Sequence, residues 1–282
     1  MLWRRLRLGL PTLLGLQRRG WFIPYRYAAT LPATGGSPPY AAIETLFAAR
    51  RAAFESVLDL IDVAAPALEA IARKDLPPGW AGPTPRFDQA WFPTLDACAA
   101  YALVRQHKPK RIVEVGSGHS TRFLAAALDD GTITAIDPAP RADISRLPRV
   151  SIVSRTVHDA DPAVFAALGA GDLLFIDSSH ILMPGSDVDL LFGRILPMLP
   201  PDVLVHIHDI TLPDDYPPAW AWRNYNEQQG VIPLLLSDAY EALFSSPYVA
   251  TRMAERVSRC VAARLPRHPQ GWSTSLWLRK LR

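Results

Sequence analysis

At 282 residues the chain can bury one full core plus an accessory region, and with 49% hydrophobic and 20% charged residues its bulk is globular. The formal charge of +3 is small and carried mostly by arginine (the lysines are Lys74, Lys108, Lys110 and Lys280), with no basic-aromatic stripe that would point to nucleic acid. Cys98 and Cys260 are too few for a disulfide framework and lack metal-ligand spacing, which fits a reducing cytoplasm, and no apolar run approaches the roughly 18 residues of a transmembrane segment.

The first 22 residues place Arg4, Arg5, Arg7, Arg18 and Arg19 around leucine-rich pieces broken by Pro11. Such a segment suits a membrane-surface anchor or a targeting peptide. A signal peptide is disfavoured, because no clean apolar core or small-residue cleavage site follows. The favoured expectation is an arm packed on the body or on a second subunit. Residues 30–40 are rich in Pro, Gly, Ser and Thr and read as a linker. From Ala41 to about Lys74 the apolar residues Ile43, Leu46, Phe47, Phe54, Val57, Leu58 and Ile61 recur at helical spacing. Pro66 interrupts them, which predicts a long helix and then a short one. After a Pro/Gly loop over residues 76–85, a helical pattern runs from Phe92 to His107. The organisation expected is an arm and helical cap over residues 1–85 and an α/β domain over 86–282.

The run Arg111-Ile-Val-Glu-Val reads as a buried parallel strand. It turns through Gly116-Ser117-Gly118 and opens a helix capped by Ser120 or Thr121. Strand, glycine turn and helix N-terminus are the geometry on which α/β proteins hold nucleotide-like ligands. A dinucleotide site would want a third glycine where Thr121 stands. The loop carries Glu114 and His119 instead, and an acidic loop suits a phosphate-free ligand with a cationic amino group. S-adenosylmethionine has that chemistry.

Strand signals then alternate with helical ones at Thr132–Ile136, Val150–Ser154, Leu173–Ile176 and Val203–His208. The alternation predicts a parallel, doubly wound sheet with ligands at the carboxyl ends of its strands. Asp137 follows the second strand, 21 residues past Gly116, where an acidic residue takes ribose hydroxyls. His158 and Asp159, after the third strand, are candidates for the adenine edge, although Asp159 would equally cap the helix near Pro162. The fourth strand ends in Asp177-Ser-Ser-His180 and the fifth in His206-Ile-His208-Asp209. Asp177 and Asp209 have the hard oxygen donors for a divalent cation. His180 has the ordinary imidazole pKa, about 6.5, suited to general-base work near neutral pH. His206, His208 and Asp209 could form a His-His-carboxylate iron triad, but His206, deeper in its strand, is better explained as a core histidine.

The residues after Asp209 form a long aromatic and polar loop that reads as a lid or substrate wall. Tyr216, Trp220, Trp222 and Tyr225 offer contact area, and Asn226 and Glu227 polar contacts. An aromatic oligomer contact is the competing explanation. Ser186 or Asp187 is expected to cap a helix.

From Trp91 to about Gln228 the chain resembles a bacterial subgroup of class I S-adenosylmethionine-dependent methyltransferases, through V-E-V-G-S-G-H-S-T, I-D-P, L-F-I-D-S-S-H and V-L-V-H-x-H-D-I. The resemblance implies a Rossmann-like seven-stranded sheet whose last strand is antiparallel, with residues 273–279 a candidate for it. Glu114, Gly116, Ser117, Gly118, Asp137, His158 and Asp159 would bind the cofactor. Asp177, His180 and Asp209 would be catalytic. The pattern is also similar to metal-dependent catechol and sugar O-methyltransferases. That similarity implies Mg2+ or another divalent cation at Asp177 and Asp209, with His208 standing in for a ligand position occupied here by Ile210. His180 stands where the catechol branch has a lysine base. The expected activity is O-methylation of a small-molecule or sugar hydroxyl, with homo-oligomerisation open. Cephalosporin hydroxylase-like proteins, distantly similar, keep an iron-dependent hydroxylase as a rival. A non-catalytic S-adenosylmethionine-binding partner protein is the other.

Overall fold

The computed structural model describes residue 3 and residues 5–282. Its centre is a seven-stranded sheet in the order β3-β2-β1-β4-β5-β7-β6. The strands are β1 (Arg111–Val115), β2 (Thr132–Ile136), β3 (Val150–Val153), β4 (Leu173–Ile176), β5 (Leu204–Ile207), β6 (Tyr240–Ser245) and β7 (Leu276–Lys280). β1 to β5 pair in parallel, while β7 runs antiparallel between β5 and β6. The five parallel strands and the antiparallel β7 match the sequence expectation to within a few residues. The expected seventh strand had no position assigned in the sequence; it is β6, whose buried positions Tyr240, Ala242 and Phe244 alternate as a strand requires.

The stretch between the linker and the Pro/Gly loop forms α1 (Ala41–Ala49), α2 (Arg51–Val63) and α3 (Ala65–Ala72). The expected long helix is broken at Arg50 as well as near Pro66. Pro66 starts the third helix, where its missing N–H costs no helical hydrogen bond. Ile43, Phe47, Phe54, Leu58, Ile61 and Leu68 are fully buried in the core cluster that contains the strands. Phe54 meets the β6 ring of Phe244 edge-on at 6.1 Å. At roughly 1.5–3 kcal/mol for each fully buried large apolar side chain, this row holds the helices firmly on the sheet. Next comes α4 (Thr94–His107), buried along most of its length and packed against α5 (His119–Ala127).

Residues 13–19 and 21–39 are all exposed within this chain, with Trp21 bordering the cavity described below. The linker is tethered at two points: Gly35 N–H donates to the Asp215 carboxylate (2.9 Å) and Tyr40 N–H to the Pro213 carbonyl (2.8 Å). Among the described residues no helix is long and apolar enough to cross a membrane.

Strand order reverses between β1 and β4, and the carboxyl ends of those two strands open a crevice. Gly116 stands at its seam with φ +79°, and a Cβ there would lie 1.8 Å from the Asp177 carbonyl oxygen. The loop after β1 can therefore close on the loop after β4 only with glycine at this position.

Candidate active site

The crevice is a single cavity of about 1200 Å³. At one end it is lined by the turn Gly116-Ser117-Gly118, by Asp137 and Pro138 after β2, and by Thr156, Val157 and His158 after β3. Asp177, His180, His208 and Asp209 line the other end, beneath a wall that includes Trp91, Trp220, Trp222, Tyr225 and Trp272.

The glycine turn is set by its own hydrogen bonds. Ser117 donates to Asp137 Oδ2 through its backbone N–H (2.7 Å) and its hydroxyl (3.1 Å), and Ala139 N–H donates to Oδ1 (2.8 Å). Asp137 thus fixes the loop and still lines the cavity, with lone-pair capacity left on Oδ1. The helix after the turn starts one or two residues earlier than expected, at His119. The Thr121 hydroxyl reaches back to accept from Gly118 N–H (2.9 Å).

Glu114 is not where the sequence suggested. It is fully buried beneath the turn, outside the cavity lining, and accepts the Ser120 hydroxyl at 2.6 Å. Burial pushes its carboxyl up to about 8 despite that bond, so near neutral pH it braces the loop as an acid rather than offering a charge to a ligand. Asp159 is exposed, accepts the Thr156 hydroxyl (2.7 Å) and does not reach the cavity, whereas its neighbour His158 does. The cap near Pro162 falls to Asp161, which accepts from Ala163 N–H. The expected Ser186 cap is present, accepting from Asp189 N–H at 3.1 Å.

At the other end, two imidazoles and two carboxylates interlock. His180 Nε2 lies 3.3 Å from Asp177 Oδ1 and 3.4 Å from Asp209 Oδ2, while its Nδ1 is 2.8 Å from Glu227 Oε2. His208 Nδ1 lies 3.5 Å from both Asp177 Oδ1 and Asp209 Oδ1, and its Nε2 lies 3.6 Å from buried Asp96. Arg223 completes the set at 3.3 Å from Asp209 Oδ2, stacked over Trp220 at 4.1 Å. Thr274, beside β7, donates to Asp209 Oδ1 (3.2 Å). His180 and Asp209 both adopt left-handed backbone, φ +62° and +52°. Such non-glycine residues store on the order of 1–3 kcal/mol each, which the surrounding bonds must over-determine.

This arrangement alters two expectations. Burial acts to lower both imidazoles, but the carboxylates outweigh it. His208 is raised to about 10, and Asp209, Asp177 and Glu227 hold His180 well above its ordinary value. Asp177 is held well below the usual carboxylate range, against its own burial, by His208 and His180. His180 is therefore not a base poised near 6.5. It is the stronger base, and it is protonated at neutral pH. The donor set also does not fit the divalent cation. Nitrogens of His180, His208 and Arg223 already lie 3.3–3.5 Å from both Asp209 oxygens and from Asp177 Oδ1. Among the described residues no group of three or more His, Cys, Asp or Glu is arranged to hold a metal ion.

The iron triad is not formed either. His206 is fully buried outside the cavity, stacks on Phe175 at 3.7 Å, and pairs its Nε2 with the Ser275 hydroxyl at 2.8 Å. Of the expected substrate contacts, Trp220, Trp222 and Tyr225 line the cavity, and Tyr216, Asn226 and Glu227 do not. Tyr216 is buried, its hydroxyl accepting from Gln228 N–H (3.3 Å). Asn226 staples the loop to Leu182, accepting from its N–H (2.7 Å) and donating to its carbonyl (3.2 Å). Glu227 is fully buried at the start of helix α6 (Glu227–Leu236), and it orients His180 rather than touching the cavity.

Sequence reading missed Asp96, Arg223, Trp91, Trp272 and Thr274. Only Arg223 had a local cue, sitting inside the aromatic loop already singled out. The rest are brought to the site by α4 and β7, from opposite ends of the domain.

Residues 113–210 match a family model described as a methyltransferase domain. No curated protein matches the sequence. Solved structures similar to the chain include an O-methyltransferase from Bacillus cereus in complex with SAH, at 15% identity and TM-score 0.44, covering 84% of this chain and 99% of that one. The O-methyltransferase TomG from Streptomyces achromogenes, involved in tomaymycin synthesis and in complex with SAM, is 15% identical at TM-score 0.40, with 78% and 90% covered. A methyltransferase from Geobacter sulfurreducens is 17% identical at TM-score 0.39, again with 78% and 90% covered. The family match falls at the centre of the sheet ordered 3-2-1-4-5-7-6, spanning β1 to just past β5.

Proposed function

We propose that the protein methylates a hydroxyl group of a small molecule, using S-adenosylmethionine. The observation that carries this reading is the continuity of the cavity, which joins the glycine turn and Asp137 to the cluster of His180, Asp177 and Asp209. Asp137 would take the ribose hydroxyls, Val157 and His158 would flank the base, and the Gly116–Gly118 backbone would lie along the remainder. When bound, S-adenosylmethionine supplies an electrophilic methyl group.

The protein's own contribution is placement and proton transfer. The tryptophan wall excludes water and holds the acceptor against the open face of Asp177. His180 in its neutral form accepts the hydroxyl proton at Nε2 while Glu227 keeps Nδ1–H fixed. Asp177 and Asp209 stabilise the imidazolium so formed, the role that an orienting carboxylate plays beside any catalytic imidazole. Arg223, His180 and His208 neutralise the two aspartates without a metal. Chelator or added magnesium should accordingly change the rate less than twofold.

Calorimetric titration with S-adenosylhomocysteine tests the reading, followed by transfer of labelled methyl to a panel of phenols and sugars. Binding should weaken about tenfold or more in Asp137→Ala, roughly the loss of one charge-assisted hydrogen-bond pair. An unmodified chain that binds no S-adenosylhomocysteine would overturn it.

A further inference from the structure

We propose that residues 3–27 form a peripheral arm that docks the protein on an anionic lipid surface. The helical turns Arg5–Gly9 and Leu10–Leu13 carry Leu6, Leu10 and Leu13 at spacings of four and three, with Trp3 three residues before. That spacing puts the four on one helical face. All four are exposed, from 47% for Leu10 to 75% for Trp3. The chain continues through Trp21, which also borders the active-site cavity, to Phe22 and Ile23, 66% and 61% exposed. A monomer in water rarely shows so many contiguous large apolar side chains without something to cover them.

Charge indicates what covers them. Six arginines and no acidic residue precede Glu44. Of the chain's 30 basic residues, 24 therefore remain after that point against 27 acidic ones, so the body is net negative and the whole positive excess sits on the arm. Apolar stripe, interfacial tryptophan and arginines without counter-charges are the two-signal combination that binds anionic phospholipid. Arg18 lies over Trp21 at 5.8 Å, the pairing of cation and amphipathic ring suited to a headgroup layer. Arm-to-arm docking with a second copy is disfavoured, because it would bring two such positive segments together in an apolar contact.

The full-length protein should co-sediment with vesicles of phosphatidylcholine and phosphatidylglycerol (7:3) at least tenfold better than with phosphatidylcholine alone, and 0.5 M salt should reverse the difference. The triple change Leu6→Ser, Leu10→Ser, Leu13→Ser, and separately the pair Arg18→Ala, Arg19→Ala, should each reduce anionic binding at least fivefold. Circular dichroism and S-adenosylhomocysteine binding should stay unchanged, which separates this test from that of the catalytic reading. Equal binding to both vesicles, or to neither, would overturn the proposal. So would a dimer by light scattering that the triple serine variant converts to monomer, since the face would then belong to a second copy.

Discussion

The two ends of the cavity are built by opposite strategies. The end lined by Gly116, Asp137 and His158 is made from strand ends and the turns directly after them, each positioned by bonds within its own neighbourhood. The end around His180 is assembled from remote segments: Asp177 after β4, Asp209 after β5, Glu227 from α6, Asp96 from α4 and Thr274 beside β7. A locally built end tolerates changes elsewhere. An assembled end concentrates charge that no single segment could hold.

Substitutions should separate the two. The largest effect is expected from His180→Gln, which removes the proton acceptor. Turnover should fall by roughly 10²–10⁴, while S-adenosylhomocysteine affinity stays within twofold. Parallel loss of both would mean that the two ends are one unit. Glu227→Gln should cost less, about tenfold at the optimum, and its informative readout is the pH profile. His180 must be neutral to accept a proton, and its folded value is raised, so turnover in the unmodified protein climbs with pH through a limb above 6.5. Removing the Glu227 charge lowers that value, and the limb should move to lower pH. An unmoved limb would assign Glu227 to packing alone.

Stability offers a further contrast. His208 is ordinarily near 6.5 when unfolded and about 10 in the fold. Its contribution is then complete below 6.5 and lost as pH rises toward 10. The melting temperature should fall across that window, and fall less in His208→Gln. The smallest effect belongs to the wall: Trp272→Ala, at a half-exposed position, should raise KM for the acceptor a few-fold with kcat nearly unchanged.

The same contrast explains what could be read in advance. Arg111–Val115, its glycine turn and Asp137 were legible because strand, turn and cap signals lie side by side in the chain. Asp177, His180 and Asp209 were legible as residues, since polar groups follow apolar strands there. The protonation of His180 was not, because it depends on Asp209 and Asp177 converging from two strand ends and on Glu227, which looked like a loop contact. Glu114 misled for a related reason: its charge is plain in the sequence, but the Ser120 hydroxyl and complete burial decide its state. The arm was expected to find cover on the body or on a second subunit, and within this chain its apolar residues remain exposed.

Gly116 carries one more consequence. With the carbonyl of Asp177 where its side chain would be, the turn after β1 and the turn after β4 leave no clearance between them. They behave as one machined part, and wear at that joint would be felt in both functions at once. Anyone seeking a new acceptor specificity would leave this joint alone and recut the tryptophan wall, where Trp91, Trp222 and Trp272 are partly exposed.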